Sequence, residues 1–193
     1  MSSYCAYAAE HPLHRGYHDE EYGFPQRDDA VLFERLMLEI NQAGLSWGLM
    51  LQKRDSLRSA YAGFDPMKVA WFGDRDRERL LADPGVIRNR LKVDAAITNA
   101  RVVVSFYDGY ESFAGWLDAH HPLDLDDWKR LFKQTFKFTG GEIVREFLTS
   151  LGYLPDAHAE SCPVAARARA ARAKAGLLLP RESATSVGTL APA

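Results

Sequence analysis

Apolar residues in this chain return every three or four positions, and nowhere do they alternate with polar ones long enough to make a strand. That periodicity restricts the chain to an all-α fold. Its sharpest expression is the stretch Leu38-Glu39-Ile40-Asn41-Gln42-Ala43-Gly44-Leu45-Ser46-Trp47. Upstream of it Leu32, Phe33, Leu36, Met37 and Ile40 share a helical face, so the spacing predicts an amphipathic helix from about Asp29 with Glu39 near its C-terminal end. Gly44 is a helix stop, and Ser46 is placed to cap a second helix running from Trp47 through Leu49, Met50 and Leu51 towards Leu57, Tyr61 and Phe64. A carboxylate at such a corner, beside an aromatic ring, is either a solvated helix-end charge or a site residue, and the local pattern leaves both readings open.

At 193 residues and 47% hydrophobic content, the chain can bury a substantial core in one domain, or in one domain split into two lobes. A formal net charge of -2 neither requires nor excludes nucleic acid, since a local basic patch suffices for phosphate contact. No apolar run has transmembrane length, and Met1-Ser2-Ser3-Tyr4-Cys5 lacks a basic start followed by an apolar core. A cytoplasmic location without membrane attachment is the expectation.

Residues 3–26 are dense in aromatics, histidines and turn formers and read as an irregular segment that something must pin down. Phe64-Asp65-Pro66 is a helix start with Asp as N-cap, and Gly73-Asp74 opens another helix. The turn Gly85-Val86-Ile87-Arg88-Asn89-Arg90 leads into a long helix carrying Val93, Ala96, Ile97, Ala100 and Val104 on one face. Such a turn is either a solvated loop or a phosphate-gripping element, with backbone N–H groups near Gly85 and charge from Arg88, Arg90 and a solvent-facing Lys92. Lys129, Arg130, Lys133 and Lys137 form a second basic cluster. Thr139-Gly140-Gly141-Glu142 has capping-box spacing, with Thr139 at the N-cap. The composition shifts after Pro163, which divides the chain into a compact unit, residues 1–163, and a basic Ala/Arg-rich arm with a loose tail, residues 164–193.

The chain has two cysteines, Cys5 and Cys162. His18 follows the first by thirteen positions and His158 precedes the second by four, on one face of a helical turn. Two thiolates and two imidazoles complete a tetrahedral structural zinc shell; the spacing leaves a disulfide or two unrelated buried thiols as alternatives.

Several of these separated pieces agree. Cys5-Ala6-Tyr7, Tyr17-His18-Asp19-Glu20-Glu21-Tyr22-Gly23, Glu39 with Gln42-Ala43-Gly44-Leu45-Ser46-Trp47, Phe64-Asp65-Pro66, the Gly85–Arg90 turn, Phe136-Lys137-Phe138-Thr139-Gly140, and His158 with Cys162 together resemble the bacterial DNA-3-methyladenine glycosylase I family, of the helix-hairpin-helix glycosylase superfamily. The likeness covers about residues 4–163. It implies a two-lobed all-α domain of helix-hairpin-helix type, a monomer acting on damaged double-stranded DNA, and monofunctional hydrolysis of the N-glycosidic bond of 3-methyladenine in base excision repair. It also implies a structural zinc on Cys5, His18, His158 and Cys162, with Glu39 as the acid of the base pocket and Tyr17 and Trp47 as its walls.

Tyr7 and Tyr22 stand where the family commonly has Trp; they join the substrate-binding set with a stacking face kept and a hydroxyl added. His14 stands where Tyr is usual, and Ile40-Asn41 replaces Gly-Gln. These departures bear on which alkylated bases are accepted more than on the reaction. Other helix-hairpin-helix glycosylases use an Asp downstream of the hairpin, or a Lys that forms a Schiff base. Asp108 and Lys92 are the counterparts here, and both are weaker candidates than Glu39. The rival class is a non-catalytic zinc-stapled DNA-binding module, which needs the basic turn but no acid-lined pocket.

Overall fold

In the computed structural model residues 4–179 are described. They form twelve α-helices and no strand, in keeping with the helical periodicity. The helix α3 (Asp29–Gln42) is the organising element: it packs against α4 (Trp47–Ala60), α7 (Arg90–Ser105), α9 (Phe113–His120) and α11 (Gly141–Ser150), and against the short α5 (Pro66–Val69). Ten consecutive residues of α3, Leu32 to Asn41, are buried, so the helix is surrounded rather than amphipathic. Its start is set by Asp28, whose side chain accepts from the N–H groups of Ala30 and Val31. Its end is set by Gly44 at φ +81°, a left-handed conformation that glycine adopts without steric cost. Ser46 then accepts from the Leu49 N–H to open α4, and Asp65 does the same for Pro66-led α5.

Further along, α6 (Asp74–Ala82) leads through the basic turn into α7, and α8 (Tyr107–Tyr110) follows as a separate short helix. Phe113, Trp116, Phe132, Phe136 and Phe147, from α9, α10 (Leu125–Thr135), α11 and the α10–α11 connection, pack ring against ring in the same core. Gly85 is required where it stands, because a Cβ there would lie 2.8 Å from the Ser56 Cβ of α4.

Two local expectations are corrected, and the basic arm is found to be helical. The N-terminal segment is not irregular: it forms α1 (Tyr4–Glu10) and α2 (Pro12–Glu20), held by ring contacts such as Tyr4 on His14 and Tyr7 on His11 rather than by a periodic apolar stripe. Thr139 is not the cap of α11; Gly140 is, and the Thr139 hydroxyl donates to the carbonyls of Phe132 and Phe136 instead. Residues of the basic arm form α12 (Ala165–Lys174), which is docked: Arg172 is buried and donates to the Gly152 carbonyl, and Leu177 is buried behind it. The tail expected over residues 180–193 lies outside the described residues.

Candidate active site

Where α3 ends and α4 begins, the Gly44 corner borders a cavity of about 740 Å³. Tyr4, Tyr17, Tyr22 and Trp47 supply its aromatic surface, Glu39, Glu142 and Glu146 its acids, and the backbone of Gly140 and Gly141 at the start of α11 one rim. The rings of Tyr17 and Trp47 lie 5.0 Å apart at 56°, and Tyr22 contacts both Tyr17 and Tyr4. Glu39, 5% exposed, is thus a buried acid of the cavity and not a solvated helix end. Because α3 is enclosed on every side, even its polar positions are inside. Burial, with Glu146 nearby, pushes the Glu39 carboxyl up to about 8, against the opposing pull of Arg35.

Arg35 is 1% exposed, lies 5.1 Å from the Tyr17 ring centroid, and donates to the Glu21 carboxylate at 2.9 Å. Arg54 ties Glu21 to Glu34, so an ion-pair network forms the outer support of the Tyr17 wall. The Tyr17 hydroxyl and the Trp47 indole N–H are buried within these walls and offer no accessible surface to the cavity.

Cys5, His18, His158 and Cys162, from α1, α2 and the α11–α12 connection, converge beside this cavity's N-terminal wall: their ligand atoms all lie within 4.8 Å of one another. His158 Nδ1 is 3.2 Å from His18 Nε2, 3.9 Å from Cys5 Sγ and 3.8 Å from Cys162 Sγ. These are edge lengths of the order expected around one tetrahedral ion with two sulfur and two nitrogen ligands. The remaining ring nitrogens are occupied, His18 Nδ1 by Asp19 at 2.7 Å and His158 Nε2 by the Tyr22 carbonyl at 2.7 Å. That arrangement leaves one lone pair of each imidazole facing the cluster. The four residues therefore fit a metal ion.

Several expected site residues stand elsewhere. Tyr7 does not line the cavity; it is 42% exposed, stacked on His11 at 3.8 Å along a separate groove. Lys92 is not solvent-facing: it is 4% exposed and donates to the carbonyls of Asn41 and Ala43, both at 2.7 Å. It caps the C-terminus of α3 with a positive charge, and this removes it from any DNA-facing set. Lys92→Met should cost about 2 kcal/mol, read as a lower denaturant midpoint, because the carbonyls lose a charged donor. Gly85 has its N–H engaged by the Asp83 side chain, while Arg88 and Arg90 are exposed on the turn. Asp108 is exposed on α8, away from the cavity. Tyr4, Glu142 and Glu146 line the cavity without having been expected there. Tyr4 neighbours the metal-cluster residue Cys5, which is the one signal that pointed to it. Glu146 belongs to no motif, and no signal in the sequence singles it out.

An all-α domain with a buried acid and aromatic walls around a cavity roomy enough for a nucleobase is built like a helical DNA-base glycosylase. A family model described as methyladenine glycosylase matches residues 7–125. DNA-3-methyladenine glycosylase 1 of Escherichia coli (strain K12) is 36% identical over 177 residues, spanning 82% of this chain and 94% of that protein. The DNA-3-methyladenine glycosylase of Haemophilus influenzae is 34% identical over 182 residues, 84% of this chain and 98% of its own. The 3-methyladenine DNA glycosylase I of Staphylococcus aureus, solved for the basis of its 3-methyladenine recognition, superposes with a TM-score of 0.73 at 31% identity, covering 83% of this chain and 95% of the other. The chain belongs to the methyladenine glycosylase family.

Proposed function

We propose that this chain is a monofunctional DNA glycosylase that hydrolyses the N-glycosidic bond of 3-methyladenine in DNA and leaves an abasic site. The observation that carries the reading is the buried Glu39 carboxyl on an aromatic cavity of about 740 Å³. An N3-alkylated adenine nucleotide is cationic, so its glycosidic bond is already weakened. Tyr17, Tyr22 and Trp47 hold the flipped base by ring contact, and Glu39 accepts hydrogen bonds from its amino edge and stabilises the positive ring. As the C1′–N bond breaks, its electron pair returns to the ring, which leaves as the neutral base; water forms the new bond to C1′ and releases a proton to solvent. No amine nucleophile takes part, since Lys92 is committed to two carbonyls. The Cys5–His18–His158–Cys162 set holds one zinc ion, which ties α1 and α2 to the chain beyond α11 and supplies no chemistry at the base. Residues 1–163 carry this activity as a cytoplasmic monomer, with α12 as an added helix.

Release of free 3-methyladenine from alkylated duplex DNA, with no adduct trapped by borohydride, is the expected result. A chain that binds alkylated duplex yet releases no base is a binding module instead. Phosphate contact is assigned to the turn carrying Arg88 and Arg90. Their joint replacement by alanine should weaken duplex binding at low salt by about tenfold or more, equally for all sequences, and reduce the salt slope by about two. Unchanged binding in a salt titration would make the turn purely structural.

A further inference from the structure

We propose that Glu146 is a specificity-determining residue of the base cavity: held by the Tyr22 hydroxyl, it joins Glu39 in a two-carboxylate site that selects positively charged nucleobases over uncharged ones. This rests on the glycosylase reading above. Glu146 comes from α11 and Glu39 from α3, so two separate helices deliver acids to one cavity. Tyr22 donates to Glu146 Oε2 at 3.1 Å, which aims a side chain that α11 would otherwise leave free to reach solvent.

The residues lining the cavity include Glu39, Glu142 and Glu146 and no Lys, Arg or His. The nearby cations offset this charge only in part: Arg35 is engaged by Glu21, and Arg145 pairs with Glu142 at 3.7 Å on the exposed side. Carboxyl groups gathered in a partly buried space with incomplete compensation are stabilised by a cationic occupant. Consistent with this, burial raises the Glu146 carboxyl above its ordinary value, and Glu146 in turn helps raise Glu39. The chemical class selected is therefore an alkylated purine carrying a fixed positive charge and a hydrogen-bond-donating edge.

The test is calorimetric binding of two small probes to the full-length protein: 3,9-dimethyladeninium, which is permanently cationic, and 9-methyladenine, which is uncharged. The wild type should prefer the cation. Glu146→Gln should reduce that preference by about tenfold, through weaker binding of the cation alone, with the fold retained. An unchanged preference in the folded variant, or equal weakening of both probes, would overturn the proposal and leave Glu146 as a prop for Tyr22. Should the glutamine variant fail to fold, Glu146→Met, which keeps the length of the side chain without its charge, is read by the same two outcomes. A wild type that prefers the cation but releases no 3-methyladenine would overturn the glycosylase reading and leave the charge selection standing.

Discussion

Glu39→Gln should lower kcat/KM for excision of 3-methyladenine on the order of 100-fold or more while leaving duplex affinity and the fold intact, because the amide keeps the shape and removes the charge that stabilises the cationic ring. Trp47→Ala should behave differently and weaken capture of any base, charged or not. On the proposed mechanism the ionised form of Glu39 is the competent one, and its carboxyl is raised to about 8. In the wild type, kcat/KM should therefore climb with pH and level off above about 8, with the coupled Glu146 spreading the transition; Glu39→Gln should flatten the profile. Stability should run the other way. With a folded value of about 8 above an unfolded one near 4.3, the native state keeps a proton that the unfolded chain has already released. The wild type should lose stability as pH rises from about 4 to 8, and the glutamine variant should melt higher than the wild type at pH 8 by more than at pH 5. A glutamine variant with full excision activity, or a pH profile shared by both proteins, would place the chemistry at another residue.

Removing the metal should have the second large effect. Elemental analysis should find about one zinc per chain, and stripping it with a chelator should cost several kcal/mol, a fall in melting temperature on the order of 10 °C for a domain of this size. The reason is architectural: α1 and α2 are short, with Ala8, His14, Tyr17 and His18 as their buried residues, and the cluster joins them to the chain beyond α11 alongside the Glu21 ion pairs, the Gly23–Ser150 backbone bond and ring contacts. His158→Ala should produce nearly the whole loss alone, and chelation of that variant should add little, since both remove the same staple. Re-addition of zinc to the wild type should restore the melting temperature. A metal-free protein that melts like the zinc-loaded one would reduce the cluster to four packed side chains.

The sequence by itself determined the features that are local in cause. The three- and four-residue apolar spacing meant helices throughout; Asp28, Ser46 and Asp65 open helices by accepting from N–H groups two or three residues on, and Gly44 closes one with a backbone that other residues resist. The grouping of Cys5 and His18 with His158 and Cys162 was legible through the family resemblance, whereas the spacing alone left a disulfide or unrelated thiols open; it is the folded chain that brings the four together. What only the tertiary structure decided is which side of each element faces what. Periodicity marks the residues that gain by burial, but it carries no information about how many neighbours enclose a helix. Packing against five other helices turned α3 from an expected amphipathic helix into an enclosed one, and so took Glu39 out of solvent. The same enclosure drew Lys92 onto the carbonyls ending α3, set Tyr7 on an outer groove with His11, and brought Tyr4 and Glu146 onto the cavity from opposite ends of the chain. A polar side chain has no burial preference strong enough to be read from its own sequence; its place is chosen by contacts between residues more than a hundred positions apart, as Tyr22 and Glu146 are.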